Sequence, residues 1–434
     1  MIDMRLFQAF LLICCNVVVM GQSYTSYFTG DTADVTVTPL KGTVLMGGAT
    51  ENDNAMRWFL ERANGGDILV LRTTGEDGYN DYFYSDLGVD VNSVETIVCN
   101  TAEASTDPYV LRRVSEADAL WFAGGDQWDY ISFWRDTPME DAFNTLINDK
   151  QITIGGTSAG CAIQGEAYFS AENGTITSSL AMQDPFHSLM KLGYADFLNN
   201  PATQNIITDT HYDNPDRRGR HVAFLARLLA DYGGTFYGIG VEEYTAVCID
   251  ENNHAHVYGS YPGEEDYAFF LQMNCYEPAT PEVCEDGEKL TWNRSEAALK
   301  VIKVAGTNSG AGYVDLNDWK TVIDATYSWE NWWVENAVFH NTESASPINC
   351  DTILQVNQLD IYAINLMVNQ EQQVLIITTA IHFEKYFIRD ISGKLIAENV
   401  LDSYAISIKD FIPGNYLFSA TDASGKIYSG IFAK

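Results

Sequence analysis

The sequence predicts an α/β protein with a largely parallel sheet covered by helices on both faces, followed by a small all-β sandwich. Three observations carry this expectation. From about residue 41, short uninterrupted apolar runs alternate with amphipathic stretches. Strands that are apolar on both faces belong to parallel sheets packed between helices. The runs stop at glycines and polar residues, as strands do where they turn into helices. From residue 359 helical periodicity disappears, and alternating strands with Asp, Ser and Gly turns replace it.

Taken in order, residues 43–46 form a strand that ends in Gly47-Gly48, and a helical stretch follows over 54–62. Residues 67–72 and 94–99 are further buried strands, 108–116 is helical, and 117–123 is a strand that ends in Gly124-Gly125-Asp126-Gln127. An amphipathic helix over 138–149 leads into Ile152-Thr-Ile-Gly-Gly-Thr-Ser158-Ala-Gly160. Ligands of such sheets bind beyond the carboxyl ends of the strands. Gly47-Gly48, Gly124–Gln127 and Ser158 all fall there.

Gly156-Thr157-Ser158-Ala159-Gly160 has the G-x-S-x-G form of a nucleophile elbow, a sharp strand-to-helix turn that lifts a hydroxyl out of the sheet. Its flanking glycines avoid clashes where strand and helix come close. A second apolar strand, Ile206-Ile-Thr-Asp209-Thr-His211-Tyr212, brings a histidine to its end, before Arg217, Arg220 and a helix with the apolar face Val222, Phe224, Leu225, Leu228 and Leu229. The pattern alone allows His211 to be a base or a turn cap. Gly238-Ile-Gly-Val-Glu242-Glu243 ends a further strand in tandem acids. Such acids are either solvated turn residues or the carboxylate that orients a catalytic histidine.

Composition narrows the partners. The 434 residues carry 25 basic and 59 acidic side chains, a formal net charge of −34, which argues against nucleic acid and anionic membranes. Arg5 and the apolar run 6–20, with small residues near Gly21, read as a signal peptide over 1–22, so export is expected. Cys14 and Cys15 lie within that leader. Cys275 and Cys284 flank a Pro-containing loop and are candidates for a local disulfide; Cys99, Cys161 and Cys248 sit in apolar settings that suit buried thiols. No spacing suggests a metal site, and no cofactor is expected. The tryptophans between 292 and 333 read as core packing rather than a sugar platform.

Four motifs in order, Gly124-Gly-Asp-Gln127, Gly156-Thr-Ser-Ala-Gly160, Asp209-x-His211-Tyr212 with Arg217 and Arg220, and Gly238-Ile-Gly-Val-Glu-Glu243, resemble the cyanophycinase branch of serine peptidases, relatives of peptidase E. The resemblance covers about residues 40–260 and implies a fold akin to class I glutamine amidotransferases. It implies Ser158 as nucleophile, His211 as general base and Glu243 as the acid of the triad. It places Gln127 in the substrate pocket, with Asp209 and Arg217 as further substrate-binding residues. Gly125 and Ala159 are the candidate oxyanion-hole donors. The implied substrate is a peptide or cyanophycin-like polymer, cleaved to β-aspartyl-arginine dipeptides; other acidic or isoaspartyl peptides and a non-catalytic surface binder are the alternatives.

The family pattern H-F-x-x-R-x-R-x-x-R-L has arginine where this chain has Pro215, which weakens the expectation of cyanophycin itself. Alanine is usual where Cys161 follows the elbow, and the thiol reads as packing. Residues 23–335 are the expected peptidase domain and 336–358 a linker. Residues 359–434 resemble the sorting domain of type IX secretion cargo, which implies a secretion machinery as partner and a secreted or cell-surface location. A carbohydrate-binding module is the alternative, and a homodimer is left open.

Overall fold

The computed structural model describes residues 22–276, 278–344, 361–379, 381–391, 394–400, 403–422 and 426–434. The chain falls into two units divided between Ile348 and Asn349. Residues 1–21 of the expected signal peptide, Cys350 and residues 345–358 of the expected linker lie outside the described residues.

The centre of the first unit is a run of parallel strands in the order Ser93–Cys99, Asp67–Arg72, Ala119–Phe122, Thr153–Thr157 and Gly42–Met46. Successive side chains of a strand point to opposite faces, and both faces are apolar here. Ile68, Val70 and Trp121 pack with Phe59 and Leu60 of the helix Asp53–Arg62. Leu69, Leu71, Phe122 and Ile154 pack on the other side with Val110, Trp134 and Phe143 from the helices Pro108–Glu116, Gln127–Trp134 and Pro138–Thr145. The helix starts are written locally. The Asn52 side chain accepts the N–H groups of Asn54 and Ala55, and Asp107 caps a helix whose first residue is Pro108. Antiparallel strands extend this sheet to ten, Tyr24–Gly30 at one edge and Ala246–Ile249 onward at the other.

A second, eight-stranded sheet corrects the expectation of one largely parallel sheet. Its order is Val338–Ser344, Tyr327–Glu335, Leu299–Ala305, Tyr267–Met273, Tyr237–Val241, Ile206–Asp209, Ala167–Phe169 and Leu192–Tyr194. Only Ile206–Asp209 runs parallel to its neighbours; the other pairs are antiparallel. The central strands Tyr237–Val241, Tyr267–Met273 and Leu299–Ala305 are buried on both faces. Phe270 and Ile302 meet Leu45, Val247 and Ile249 of the first sheet, while Leu271, Leu299 and Val301 meet the helix Arg218–Tyr232. Burial on both sides removes the alternation that usually marks an antiparallel strand.

The expected linker is corrected at its start, because Val338–Ser344 is a strand paired with Tyr327–Glu335 and Phe339 packs edge-on against Trp332. Trp292 and Trp332 are fully buried, and Trp319, Trp329 and Trp333 nearly so, which makes them core residues. The candidate Cys275–Cys284 bridge is not formed. Cys284 is a free thiol, like Cys99, Cys161 and Cys248, while Cys275 is disulfide-bonded.

In the second unit, Phe383–Asp390 and Leu395–Val400 pair as the two arms of the expected hairpin; Gly393 of its turn lies outside the described residues. A five-stranded and a three-stranded sheet share one apolar core that includes Leu375, Ile377, Ile388 and Phe418.

Candidate active site

Gly160 explains the elbow. A Cβ there would stand 2.0 Å from the Phe122 carbonyl oxygen, so only glycine lets the helix start this close to the neighbouring strand. The chain turns at Ser158 with φ 52° and ψ −113°, a region a non-glycine residue occupies only when its surroundings hold it there. The Ser158 N–H donates to the Met46 carbonyl at 3.1 Å, which ties the elbow to the adjacent strand.

The Ser158 Oγ lies 2.8 Å from His211 Nε2, and His211 Nδ1 lies 2.6 Å from Glu243 Oε1. With the carboxylate accepting at Nδ1, the imidazole proton sits on Nδ1, and Nε2 is free to accept the serine hydroxyl. His211 has φ 46° and donates its N–H to the Gly47 carbonyl at 2.7 Å. Glu243 is held by its own N–H, which donates to Asp213 Oδ1 at 3.0 Å. Beside it, Glu242 accepts the Tyr267 N–H at 2.7 Å, and burial pushes its carboxyl up to about 8.

A cleft of about 430 Å³ opens at Ser158 and His211 and is lined also by Gly125, Ala159, Gln127, Asp209 and Arg217. Glu243 stands behind the histidine. The sequence-predicted site residues are thus brought together. Among the described residues, the Gly125 and Ala159 N–H groups have no backbone acceptor, and both residues line the cleft beside Ser158. Gln127 begins the helix capped by Asp126, whose Oδ1 accepts the Trp128 N–H at 2.9 Å; its amide lies 3.5 Å from the Phe169 carbonyl.

Asp209 and Arg217 differ in their surroundings. Asp209 is buried and receives two hydrogen bonds from Arg220, at 2.5 and 2.8 Å. Burial alone would raise its carboxyl, yet the Arg220 guanidinium overrides this and holds it below the usual range. Arg217 donates to the Thr210 carbonyl at 3.0 Å, and its buried Nε has no partner. Burial, reinforced by the neighbouring Arg220, lowers it to about 10. Sequence reasoning left out Arg220 as a site residue, although its spacing of three from Arg217 on one helix start was a usable signal. Asp126, Asp129 and Thr74 of the cleft wall were also left out. Among the described residues, no group of His, Cys, Asp and Glu is placed to hold a metal ion.

Hydroxyl, imidazole and carboxylate in one hydrogen-bonded series are an arrangement that can activate a hydroxyl for attack. Residues 76–257 match the sequence model of peptidase family S51. The chain is 26% identical over 146 residues to a cyanophycinase of Geminocystis herdmanii, covering 34% of this chain and 48% of that protein. It thus spans about half the length of that relative. A cyanophycinase of Synechococcus elongatus is 24% identical over 258 residues, covering 55% of this chain and 74% of that one. The crystal structure of a peptidase from an acI-B1 actinobacterium aligns at 14% identity and a TM-score of 0.38, over 51% of this chain and 89% of that chain. The sequence matches support a peptidase-type hydrolase.

Proposed function

We propose that the chain is a secreted serine peptidase of cyanophycinase type, hydrolysing aspartyl peptide bonds through Ser158, His211 and Glu243. The observation that carries this reading is the continuous hydrogen-bonded relay from Glu243 through His211 to Ser158, open to the cleft. Ser158 Oγ attacks the peptide carbonyl as its proton passes to His211 Nε2, and Glu243 stabilises the imidazolium. The Gly125 and Ala159 N–H groups bind the oxyanion. Collapse expels the amine, which takes the proton from His211, and water then releases the acyl group from Ser158. The relay is the reason to prefer a catalyst over a non-catalytic surface binder.

The cleft supports an aspartyl substrate bearing a cation. Among the described residues Arg217 is in no ion pair, so its guanidinium suits a substrate carboxylate. Asp126 and Asp129 line the same cleft, also without ion pairs among the described residues, and they suit a guanidinium or amine. They follow the strand Ala119–Phe122, on one side of the elbow strand; Gly48, which abuts His211, follows Gly42–Met46 on the other. Pro215 favours a second reading, a peptidase of other acidic or isoaspartyl peptides. It leaves Arg217 as the unpaired cation, because Arg220 is committed to Asp209. A glutamine amidotransferase-like architecture, export by the N-terminal leader and sorting through residues 359–434 belong to the same proposal.

The test is dipeptide release from a cyanophycin suspension by the full chain, beside Ser158→Ala. Release by the wild type alone supports both chemistry and substrate. No release, with a serine-directed phosphonate still labelling the protein, leaves the serine peptidase and removes cyanophycin.

A further inference from the structure

Behind the catalytic histidine lies a second one that the proposed reaction does not use. His221 is fully buried in the helix Arg218–Tyr232. Its Nδ1 is 2.9 Å from the Tyr212 hydroxyl and its Nε2 is 3.2 Å from the Ile207 carbonyl. A carbonyl can only accept, so Nε2 carries the proton and Nδ1 accepts the Tyr212 O–H. Burial keeps this ring neutral, pulling its pKa down to about 4. The chain from hydroxyl to imidazole to carbonyl leaves no polar atom of the pair unmatched, in a core where an unmatched one is expensive.

Tyr212 directly follows His211, whose left-handed backbone needs outside support. The Tyr212 ring is buried against Phe269 at 5.3 Å and Trp332 at 6.4 Å. Two glycines make room for the pair. A Cβ on Gly240 would stand 2.3 Å from Tyr212 Cζ, and one on Gly238 would stand 2.5 Å from His221 Nε2. Both glycines belong to the strand Tyr237–Val241, which runs on to Glu243. The pair therefore packs against the strand that leads to His211 and the strand that leads to its acid. Both side chains of the pair are polar, and they touch.

We propose that Tyr212 and His221 are a positioning pair for His211, holding its imidazole at the height where Nε2 meets Ser158. The inference rests on the serine peptidase reading and adds to it residues that never touch substrate. Tyr212→Phe strands the Nδ1 acceptor, His221→Leu strands the hydroxyl, and the double variant strands neither.

The experiment measures two rates on the full chain and these three variants: cyanophycin turnover, and phosphonylation of Ser158 by a fluorophosphonate. Each single variant is expected to lower kcat and the phosphonylation rate about tenfold with KM within about twofold, because a small displacement of the base acts on the chemical step. The double variant should return to within about threefold of wild type, the non-additivity expected of a contacting pair. Single variants as fast as wild type, or a double variant as slow as the two losses multiplied, would overturn the proposal. Should a single variant not fold, the double variant decides alone: a rate below about a tenth of wild type contradicts a coupled pair. A wild type that the probe does not label sinks the serine peptidase reading and this inference together. A labelled wild type with unaffected variants sinks only the inference.

Discussion

Gly48 lies against the imidazole of His211, where an added Cβ would stand 2.4 Å from Cε1 and 2.5 Å from Nε2. The same turn holds both His211 and the residue after Glu243. The Gly47 carbonyl accepts the His211 N–H at 2.7 Å, and the Gly48 carbonyl accepts the Tyr244 N–H at 3.1 Å, one residue past Glu243. Gly48→Ala should therefore displace the imidazole from Ser158 and lower kcat about 100-fold. The backbone at φ 117° adds strain, for a stability loss of about 1 kcal/mol or more. Single-turnover acylation beside a urea melt checks both. Unchanged acylation would mean that the turn does not set the position of His211.

Arg220 and Asp209 form an ion pair in which both side chains are almost wholly buried. Removing one partner strands a charge. Arg220→Met should destabilise the first unit by about 3–5 kcal/mol, whereas Arg220→Met with Asp209→Leu should recover most of that loss. Urea titrations followed by tryptophan fluorescence report it, because the nine tryptophans all precede residue 349. Equal losses in the single and double variants would contradict the pairing.

Arg217 faces the cleft without an acidic partner among the described residues. Arg217→Gln should raise KM for an aspartyl peptide about tenfold or more, as loss of a charge-assisted contact to a carboxylate does. Phosphonate labelling of Ser158 should stay within about twofold of wild type, since the probe carries no carboxylate to lose. A fall in labelling equal to the rise in KM would instead place Arg217 in support of the triad.

Glu242 has its carboxyl pushed up to about 8 by burial, from an ordinary value of 4.5. The folded state thus keeps a proton that the unfolded chain has released. This contribution to stability is whole below pH 4.5, declines as pH rises toward 8, and is lost above it. Glu242→Gln keeps an acceptor for the Tyr267 N–H without the charge. The variant should lose less stability than wild type between pH 6 and 9, read as Tm at a series of pH values. Parallel curves for the two proteins would refute the assignment.

The elbow was legible because its constraint is local. Glycines at 156 and 160 around Ser158 are demanded by the turn itself, and the helix starts after Asn52 and Asp107 are written within three residues. His211 was legible as the end of an apolar strand. Glu243 was ambiguous until the resemblance singled it out, since its role depends on a histidine 32 positions away. The second sheet was illegible for a different reason. Strands buried on both faces carry no alternation, so Tyr267–Met273 and Leu299–Ala305 do not reveal their antiparallel pairing. The Asp209–Arg220 pair joins a strand to a helix and the Tyr212–His221 pair joins the turn after that strand to the same helix, and nothing in the local pattern signals either contact.

The central claim is that Ser158 is the nucleophile, activated by His211. Its most direct test is intact-mass analysis of the full chain after fluorophosphonate treatment, with the modified residue located by fragmentation. The account predicts one adduct on Ser158 in wild type, none in Ser158→Ala, and labelling slowed at least about 100-fold in His211→Ala. An adduct that persists in Ser158→Ala, or labelling indifferent to His211, would contradict it.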